Sequence, residues 1–287
     1  MEANYEKRGY LLEDFRLFHL RDPQGPKVEH HYHEFHKILL LLSGSGGYVV
    51  EGRHYRLKPG DVVMVGSRCV HRPEFEGGSP YERIIIYIAP EFLRRSSTSD
   101  CDLEEFFSGN AGHVLRMDEK NQQQLVAIAR ELEEELEREH YGRSILSNGL
   151  LLRLLVAIGR GFLLPADARP APARPTDGKI LDILRYIDNH LTEDITIDFL
   201  AEKFYISKYH MMRRFREETG TSVHTYLSDQ RLLLGRDLIR NGSPATEACF
   251  QCGFRNYSSF SRAYGKLFGT TPTGRTGAAK PEEGSYE

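Results

Sequence analysis

The segment Ser207-Lys208-Tyr209-His210-Met211-Met212-Arg213-Arg214-Phe215-Arg216 has the residue pattern of an amphipathic helix. Met211 and Phe215 are four positions apart, so they share a face and are predicted to pack inward. Ser207 is a typical N-cap, and Gly220 is a typical residue for ending a helix. Cations, an aromatic ring and a thioether share another face and suit a helix lying in a major groove of DNA: Tyr209, Met212, Arg213 and Arg216.

Two further helices flank this segment. A short one is predicted from Thr196, its N-cap, to Phe204, with Phe199, Leu200 and Phe204 on one face. A long one is predicted from Ser222 to Arg240, and Asn241-Gly242 ends it. The helix that starts at Thr196 and the helix that starts at Ser207 therefore form a predicted helix-turn-helix unit, and the long helix after them is a connecting helix.

The same pattern recurs in the segment from Ser243 to Phe268. Its turn is Cys252-Gly253-Phe254, and its second helix is predicted from Asn256 to Lys266. Inward and outward positions both repeat 49 residues later in the chain. Phe260 corresponds to Met211, Arg262 to Arg213, and Tyr264 to Phe215. A repeat in register on both faces indicates two helix-turn-helix units, and a pair of such units predicts a duplex DNA partner.

This segment, from Ile180 to Pro272, resembles the DNA-binding domain of the AraC/XylS family of bacterial transcription regulators. The matching residues are Gly220, Tyr226, Arg231, Gly253, Phe254, Ser258, Phe260, Arg262 and Phe268-Gly269-Thr270-Thr271-Pro272. The resemblance implies that the second helix of each unit enters one of two successive major grooves, about 34 Å apart. It maps the base-reading positions onto Tyr209, Met212, Arg213, Tyr257, Ser258, Ser261 and Arg262. The full predicted DNA-binding set adds Lys208, Arg216, Asn256 and Lys266.

Three positions depart from the family pattern. Ala245 and Ala248 stand where the family usually has larger aliphatic residues, and Gly235 stands where it usually has alanine. Each lost side chain is expected to remove about 1 to 3 kcal/mol of burial. We therefore expect the second unit to be the less stable half. Gly274-Arg275 also follows Pro272-Thr273 without the usual aromatic residue.

The composition is that of an ordinary globular chain. Its 287 residues suffice for two domains. No apolar run approaches the ~20 residues of a membrane span, and Met1 to Glu6 lacks a signal-peptide core, so a cytoplasmic protein without membrane contact is predicted. Although the net charge is −3, Lys179 to Gly277 carries 14 Lys and Arg against 11 Asp and Glu, which is consistent with phosphate contact. Four cysteines give little reason to expect disulfides, and Cys249 and Cys252, a C-x-x-C pair, are predicted to be structural.

The segment from Gly9 to about Pro90 has the pattern of short antiparallel strands. Turns are predicted at Ser43 to Gly46, at Glu51-Gly52-Arg53 and at Lys58 to Asp61. Many short strands without intervening helices predict a small barrel or jelly roll. The predicted strands are Leu11 to Leu20, Lys37 to Leu42, Gly47 to Val50, His54 to Leu57, Val62 to Val65 and Arg83 to Ile88.

Histidines cluster in this region, and His71 follows much later in the chain than the others: His30, His31, His33 and His36. The arrangement resembles the cupin fold, whose first motif has a His-x-His followed by a glutamate and whose second supplies another histidine. That resemblance maps the three histidines onto His31, His33 and His71. The acidic position is not matched, because Lys37 and Ile38 stand there, and a cation in that place argues against a divalent metal.

Three interpretations of the histidines remain open: a metal centre, a polar pocket for a small effector, and structural histidines. The pocket is favoured, with no cofactor and no bound metal predicted. Strand alternation adds residues predicted to face the barrel interior, namely Tyr48, Arg53, Arg72 and Tyr87. The predicted effector-binding set is His31, His33, His36, Lys37, Tyr48, His71 and Tyr87.

Two helices are predicted between the barrel and the DNA-binding segment. Asp118 to His140 has an apolar stripe beside an acidic one, and the acidic residues are interpreted as a solvated face. Ser144 to Leu164 has more leucine than one helix stripe needs, so it either covers the barrel or contacts a second subunit. In proteins similar to this one such a pair is the usual dimer contact, and a homodimer is favoured.

Together these patterns predict an α+β protein of two domains. The ranges are 1–115 for a cupin-like effector-sensing domain, 116–164 for the dimerisation helices, 165–178 for a Pro/Ala-rich linker, 179–275 for the all-α double helix-turn-helix domain, and 276–287 for a disordered tail. The favoured function is a non-enzymatic, effector-controlled regulator that binds promoter DNA, with a sugar or related metabolite as the candidate effector and RNA polymerase as a candidate partner. Two alternatives remain: a metal-dependent cupin enzyme tethered to DNA, and a DNA-binding regulator without an effector.

Overall fold

A computed structural model describes residues 11, 13–23, 30–75, 80–109, 112–164 and 178–274. The chain divides into two compact units, residues 1–177 and 178–287. Most of the predicted linker and the whole predicted tail lie outside the described residues.

The first unit contains two antiparallel sheets. One sheet has the strand order β1-β7-β2-β5-β8, and the other has the order β4-β3-β6. The strands are β1 (Phe15–Asp22), β2 (His36–Ser43), β3 (Gly46–Val50), β4 (Arg53–Leu57), β5 (Val62–Val65), β6 (His71–Phe75), β7 (Tyr81–Ile88) and β8 (Val114–Leu115). Two antiparallel sheets enclosing a core agree with the predicted cupin-like jelly roll.

Strand β2 explains why the segment after Lys37 is apolar without alternation. Leu39 and Leu41 point into the core between the two sheets, whereas Ile38 and Leu40 point into a second core beneath two helices. Both faces of this central strand are buried, so both sets of positions must be apolar. The helices are α2 (Glu119–Glu137), capped by Asp118, and α3 (Arg143–Phe162).

The sequence did not predict every element of this unit. Helix α1 (Pro90–Ser96), a 3-10 turn (Glu105–Ser108), β6 and β8 were missed. Strand β6 contains Pro73 and lies at a sheet edge, where a missing N–H is tolerated but hides the strand pattern. The predicted turn at Glu51 and Gly52 is confirmed by positive φ angles of 49° and 73°, as a two-residue hairpin requires.

Helix α3 is long and apolar enough to cross a bilayer by length and composition alone. Half of its apolar stretch is buried inside the protein, where Leu151, Leu154 and Ile158 pack against the sheet and α2. This burial is typical of a core helix. Its exposed apolar residues at either end, such as Ile145 and Leu163, are considered below.

The second unit is all-helical. Its helices are α4 (Gly178–Asn189), α5 (Ile197–Lys203), α6 (Lys208–Thr219), α7 (Val223–Arg240), α8 (Ala245–Gln251) and α9 (Tyr257–Phe268). The bounds of α6 and α9 differ by the predicted 49 residues at both ends. Both helices also end at a left-handed glycine, Gly220 (φ 73°) and Gly269 (φ 71°). The predicted duplication is therefore confirmed in the backbone.

Side-chain hydrogen bonds fix where these helices begin. Thr196, Ser207 and Ser222 each accept a hydrogen bond from the backbone N–H three residues later, at 3.1, 3.4 and 3.1 Å. Asn256 does the same for α9, from Ser259 at 3.0 Å. These residues satisfy N–H groups that have no partner within the helix, which is why the starts were readable from the sequence.

Side-chain hydrogen bonds attach helix α7 to α4 and to the loop before α5. The Arg231 guanidinium donates to the backbone oxygens of Leu191, at 2.7 Å, and Glu193, at 2.5 Å. The Tyr226 hydroxyl donates to the Asp188 carboxylate at 2.9 Å.

One face of α5 differs from the prediction, because Phe199 is 40% exposed and lies against Tyr186 instead of joining buried Leu200.

Candidate DNA interface and ligand site

Helix α6 separates buried and exposed residues as predicted. Met211 and Phe215 are fully buried, while Tyr209 and Met212 are 76% and 44% exposed. Lys208, Arg213 and Arg216 are also exposed. The helix therefore presents cations, an aromatic ring and a thioether to the surroundings, a composition able to contact both phosphates and base edges.

Helix α9 presents a smaller and more polar surface. Ser258, Arg262 and Lys266 are exposed, and Ser261 is half-buried. Tyr257 is also half-buried, because its ring packs 6.1 Å from that of Phe260. Asn256 is exposed, and its side-chain oxygen accepts the capping bond, so the NH2 group is the part of the amide that can donate to a ligand. The structure thus places the predicted residues on one helix but gives Tyr257 a packing role as well.

Acidic side chains lie beside several of these cations. Lys208 pairs with Asp198, and Arg213 Nε lies 3.9 Å from Glu217 Oε1. Arg255, just before α9, pairs with Asp194. Exposed pairs of this kind contribute little stability, so phosphates are able to displace the carboxylates.

The two cysteines near α9 have a structural environment. Cys249 and Cys252 are both fully buried, and Cys252 Sγ donates to the Cys249 backbone oxygen at 3.3 Å. Burial raises the pKa of both thiols, to about 11 for Cys252. They are therefore protonated at neutral pH, which suits packing and not redox chemistry or metal binding.

In the first unit the fold brings His31, His33 and His71 together. His31 and His71 form an isolated antiparallel bridge, with backbone N···O distances of 3.1 and 2.9 Å. Their ring centroids are 4.2 Å apart, and the His33 and His71 centroids are 4.7 Å apart. The bridge joins residues forty positions apart in the sequence, so the spacing of the histidines alone does not show it.

The ring orientation of two of these histidines is fixed by the backbone. Nδ1 of His33 lies 2.7 Å from the Phe35 backbone oxygen, and Nδ1 of His71 lies 3.0 Å from that of Cys69. A carbonyl oxygen only accepts, so each Nδ1 carries the hydrogen. Burial, with nearby Lys37 as the next cause, lowers the pKa of both rings well below 6.5. Both are therefore neutral at pH 7, and each Nε2 presents a lone pair.

Lys37 occupies the interior beside these rings. It is 4% exposed, and its Nζ lies 5.6 Å from the centroid of the Tyr48 ring, which in turn stacks on His71. Burial, and secondarily the charge of Arg83, lowers the pKa of Lys37 to about 7. The Tyr87 ring completes the wall, 5.7 Å from His33 and 4.2 Å from Phe35.

Two predicted interior residues lie elsewhere. His36 faces the opposite side of β2, where its Nε2 lies 3.2 Å from Glu104 Oε1 and its ring packs on Phe107. Arg72 pairs in register with Val49, on the outer face of its sheet, and binds Glu74. Alternation along each strand separates them from neighbours that face inward. Arg53 does share the inward face of β4 with Tyr55 and donates to the Gly109 backbone oxygen at 3.3 Å.

The histidines do not fit the metal that the cupin resemblance would imply. Hydrogen-bonded Nδ1 atoms and bare Nε2 atoms are usual for metal-binding histidines. However, the third ligand type is replaced by Lys37, and across the described ranges no group of three or more His, Cys, Asp or Glu residues has the geometry to hold a metal ion.

A separate apolar cavity lies on the other face of the large sheet. Its lining combines sheet residues with helix residues: Ile38, Leu40, Val62, Ile84, Ile86, Leu125, Ala129, Leu154 and Ile158. None of the predicted effector-binding residues is among them. The histidine cluster and this cavity are therefore distinct features of the same unit.

Family models match both units, and the chain is similar to several known proteins. A family model described as AraC-like ligand binding domain matches residues 16–155, and one described as helix-turn-helix domain matches residues 200–274. The chain is 26% identical over 253 residues to the HTH-type transcriptional activator RhaS of Escherichia fergusonii, with 88% of each protein covered. It is 27% identical over 245 residues to the probable transcriptional regulator LumQ of Photobacterium leiognathi, covering 85% of this chain and 90% of LumQ. The solved structure of ToxT from Vibrio cholerae aligns with 93% of this chain and 97% of its own at 13% identity, with a TM-score of 0.39.

The fold and the two sites define a helix-turn-helix transcription regulator with an N-terminal ligand-binding domain. Both parts match family models in the same order along the chain as in the structure. The protein belongs to the AraC family of transcription regulators.

Proposed function

We propose that this protein is a regulator whose affinity for promoter DNA is controlled by a small molecule bound inside the β-sheet domain. The observation that carries the DNA half of this proposal is the duplication of α6 and α9. Their cap positions repeat at one offset, as do the buried pairs Met211/Phe260 and Phe215/Tyr264 and the exposed pair Arg213/Arg262. Two equivalent reading helices on one domain suit two successive major grooves.

The effector half rests on the histidine cluster. His31, His33, Lys37, Tyr48, His71 and Tyr87 form the proposed binding set, because buried polar groups beside aromatic walls are typical of ligand sites. His36 is excluded from this set by its position beside Glu104. A binding role, and not an enzymatic one, is supported by relatives described as transcriptional activators.

A homodimer is part of the proposal. Helix α3 carries Ile145, Leu152, Val156 and Leu163 on one face, and Ile145 and Leu163 are 81% and 74% exposed. Exposed apolar residues aligned along a helix are typical of a subunit contact. Since DNA is the partner, we expect the dimer to act in the cytoplasm, where RNA polymerase is a candidate partner.

The deciding experiment is fluorescence anisotropy of the full chain with its own upstream promoter DNA and with random DNA, at two salt concentrations. We expect the promoter to bind more tightly than random DNA at both, with affinity falling as salt rises. Equal affinity for both sequences, with and without a metabolite extract, would contradict sequence-specific regulation. A metabolite fraction that changes promoter affinity would support the effector half.

A further inference from the structure

Three basic side chains are buried together between the two sheets of the first unit. Lys37, His33 and His71 are 4%, 5% and 0% exposed. Burial is the main cause that lowers the pKa of each, and every charged neighbour that lowers them further is also a base. The pKa of Lys37 is lowered further by Arg83. The pKa of His33 is lowered further by Lys37, His31 and His36, and that of His71 by Lys37, His33 and His31.

Two carboxylates of this unit are engaged by other bases. Asp22 pairs with Arg83 at the far end of the sheet, and Glu104 lies against His36 on the opposite face of β2. Among the described residues none of the shifts at Lys37, His33 or His71 has a carboxylate as its cause. Within the described residues the shifts at Lys37, His33 and His71 therefore come from burial and from other bases, and burying several bases together is costly unless something compensates for it.

Two buried ring nitrogens of the cluster have no partner, and their rings have centroids 4.7 Å apart. The Nε2 atoms of His33 and His71 are buried and have no hydrogen-bond partner. Their Nδ1 atoms are held by backbone oxygens, so the rings cannot turn to satisfy Nε2 without losing a bond. Buried polar atoms without a partner are uncommon in folded proteins and require an explanation, of which a bound ligand is one.

The walls around these atoms are aromatic. The Tyr48 ring stacks on His71 with centroids 6.0 Å apart, and Phe35 stacks on His33 at 3.9 Å. Aromatic walls exclude water and favour a ligand with an apolar body. Because Lys37 is the one of the three whose pKa lies nearest neutral pH, it gains a charge most easily, and a single negative charge matches the cluster better than the double charge of a phosphate.

We propose that the effector is an organic monocarboxylate whose carboxylate lies between Lys37 Nζ and the Nε2 atoms of His33 and His71. The inference rests on the proposed function, in which this barrel senses a small molecule, and it replaces the sugar suggested by analogy. Binding restores the charged form of Lys37 and supplies an acceptor for protonated histidine, so complex formation takes up protons. A neutral sugar would bind without that uptake.

The test uses the full-length protein and three matched pairs of probes: acetate and acetamide, benzoate and benzamide, and cinnamate and cinnamamide. Inorganic phosphate and glucose serve as further arms. We expect at least one carboxylate to raise the melting temperature while its amide does not. Calorimetry of that carboxylate at pH 7.5, in two buffers with different ionisation enthalpies, should show net proton uptake.

Lys37→Met provides the residue-level test, with Lys58→Met as control because Lys58 is an exposed lysine of the same unit. Lys37→Met should weaken carboxylate binding about 10- to 100-fold, as expected for the loss of a charge-assisted hydrogen bond, and should reduce the proton uptake to the part that the histidines contribute. Its own melting temperature shows whether the variant is folded. Unchanged binding in Lys37→Met would overturn the assignment.

The remaining outcomes also separate this inference from the proposed function. Stabilisation by glucose alone, together with a change in promoter affinity, would overturn the carboxylate and leave the barrel a sensor. Stabilisation by phosphate alone would overturn the monocarboxylate in favour of a phosphorylated ligand. If none of the probes binds while an extract still alters promoter affinity, the carboxylate is overturned and effector control stands.

Discussion

Gly235 of α7 lies directly against Phe260 of α9. A β-carbon at position 235 would be 2.9 Å from Phe260 Cε2 and 3.0 Å from Cys252 Sγ. Phe260 is fully buried, so its ring has little room to withdraw. The glycine therefore allows α7 and α9 to approach closely, and the space that a larger residue would fill is already occupied by the neighbouring side chains.

We predict that Gly235→Ala lowers the stability of α9. Overpacking costs about 1 to 3 kcal/mol, and the better helix propensity of alanine returns about 1 kcal/mol, so a net loss of up to about 2 kcal/mol is expected. Hydrogen exchange of the α9 amides in the full chain measures it. Gly265→Ala is the matched control, because its β-carbon would meet only the Thr270 oxygen at 3.8 Å, and it should stabilise α9. If both variants stabilise the helix, the packing argument is wrong.

Gly253 couples the second helix-turn-helix unit to the first. Its φ is +92°, and a β-carbon there would lie 2.7 Å from the Leu191 backbone oxygen and 2.9 Å from Arg231 Nε. We predict that Gly253→Ala costs more than about 1 kcal/mol through strain and disturbs the Arg231 bonds to the loop before α5. Hydrogen exchange should therefore increase in both units. An increase confined to α8 and α9 would show that the contact does not couple them.

The helical half of the molecule was predictable because its determinants are local. N-caps at Thr196, Ser207 and Ser222, terminal glycines and 3.6-residue periodicity all lie within one element. The expected weakness at Gly235 was drawn from a lost methyl group, and the sequence did not show that Phe260 and Cys252 fill that space. Packing between α7 and α9 is a tertiary feature.

The ligand site was only partly predictable, for the same physical reason. The backbone bridge between His31 and His71 depends on long-range strand pairing, which residue spacing does not encode. Arg72 was assigned to the interior although it pairs with Val49 on the outer face, a one-residue error of the kind that reverses every side chain. Pro73 also obscured the strand that carries it.

For DNA recognition we predict that Arg213→Ala and Arg262→Ala each weaken promoter binding by about 1 to 3 kcal/mol and relax the preference at one base pair. Both side chains are exposed on the reading face of their helix. Anisotropy with single-base variants of the promoter measures the preference. Arg16→Ala, an exposed arginine of the first unit, is the charge-matched control. An equal loss on promoter and random DNA would indicate a phosphate contact instead.

The stability of the first unit should depend on pH through Lys37. Its pKa is about 7 in the folded protein and 10.5 ordinarily, so between these values the unfolded chain binds a proton that the folded chain has lost. The free energy of unfolding is therefore expected to rise with pH across this window. His33 and His71, whose pKa values are lowered mainly by burial, should reduce stability as pH falls below 6.5.

Thermal unfolding between pH 7 and pH 10 measures the Lys37 contribution. Lys37→Met should unfold at a higher temperature at pH 7 and should show a smaller rise with pH, because it removes the buried base. Lys58→Met should keep the slope of the wild type. Identical slopes in all three proteins would mean that Lys37 keeps its charge in the folded state.

The exposed apolar face of α3 makes a direct prediction about assembly. Ile145, 81% exposed, and Leu163, 74% exposed, would be covered in a dimer that pairs this face with its copy. Ile145→Glu would place an unpaired carboxylate in that contact. The dissociation constant of the dimer should therefore rise about 100-fold or more. Sedimentation equilibrium measures the change, with Arg16→Glu on β1 as the control for added negative charge. If the wild-type protein stays monomeric at all concentrations, there is no dimer. If Ile145→Glu dimerises as well as the wild type, the dimer contact lies elsewhere. If dimerisation is lost, promoter affinity should fall as well, because two DNA-binding domains then no longer bind the site together.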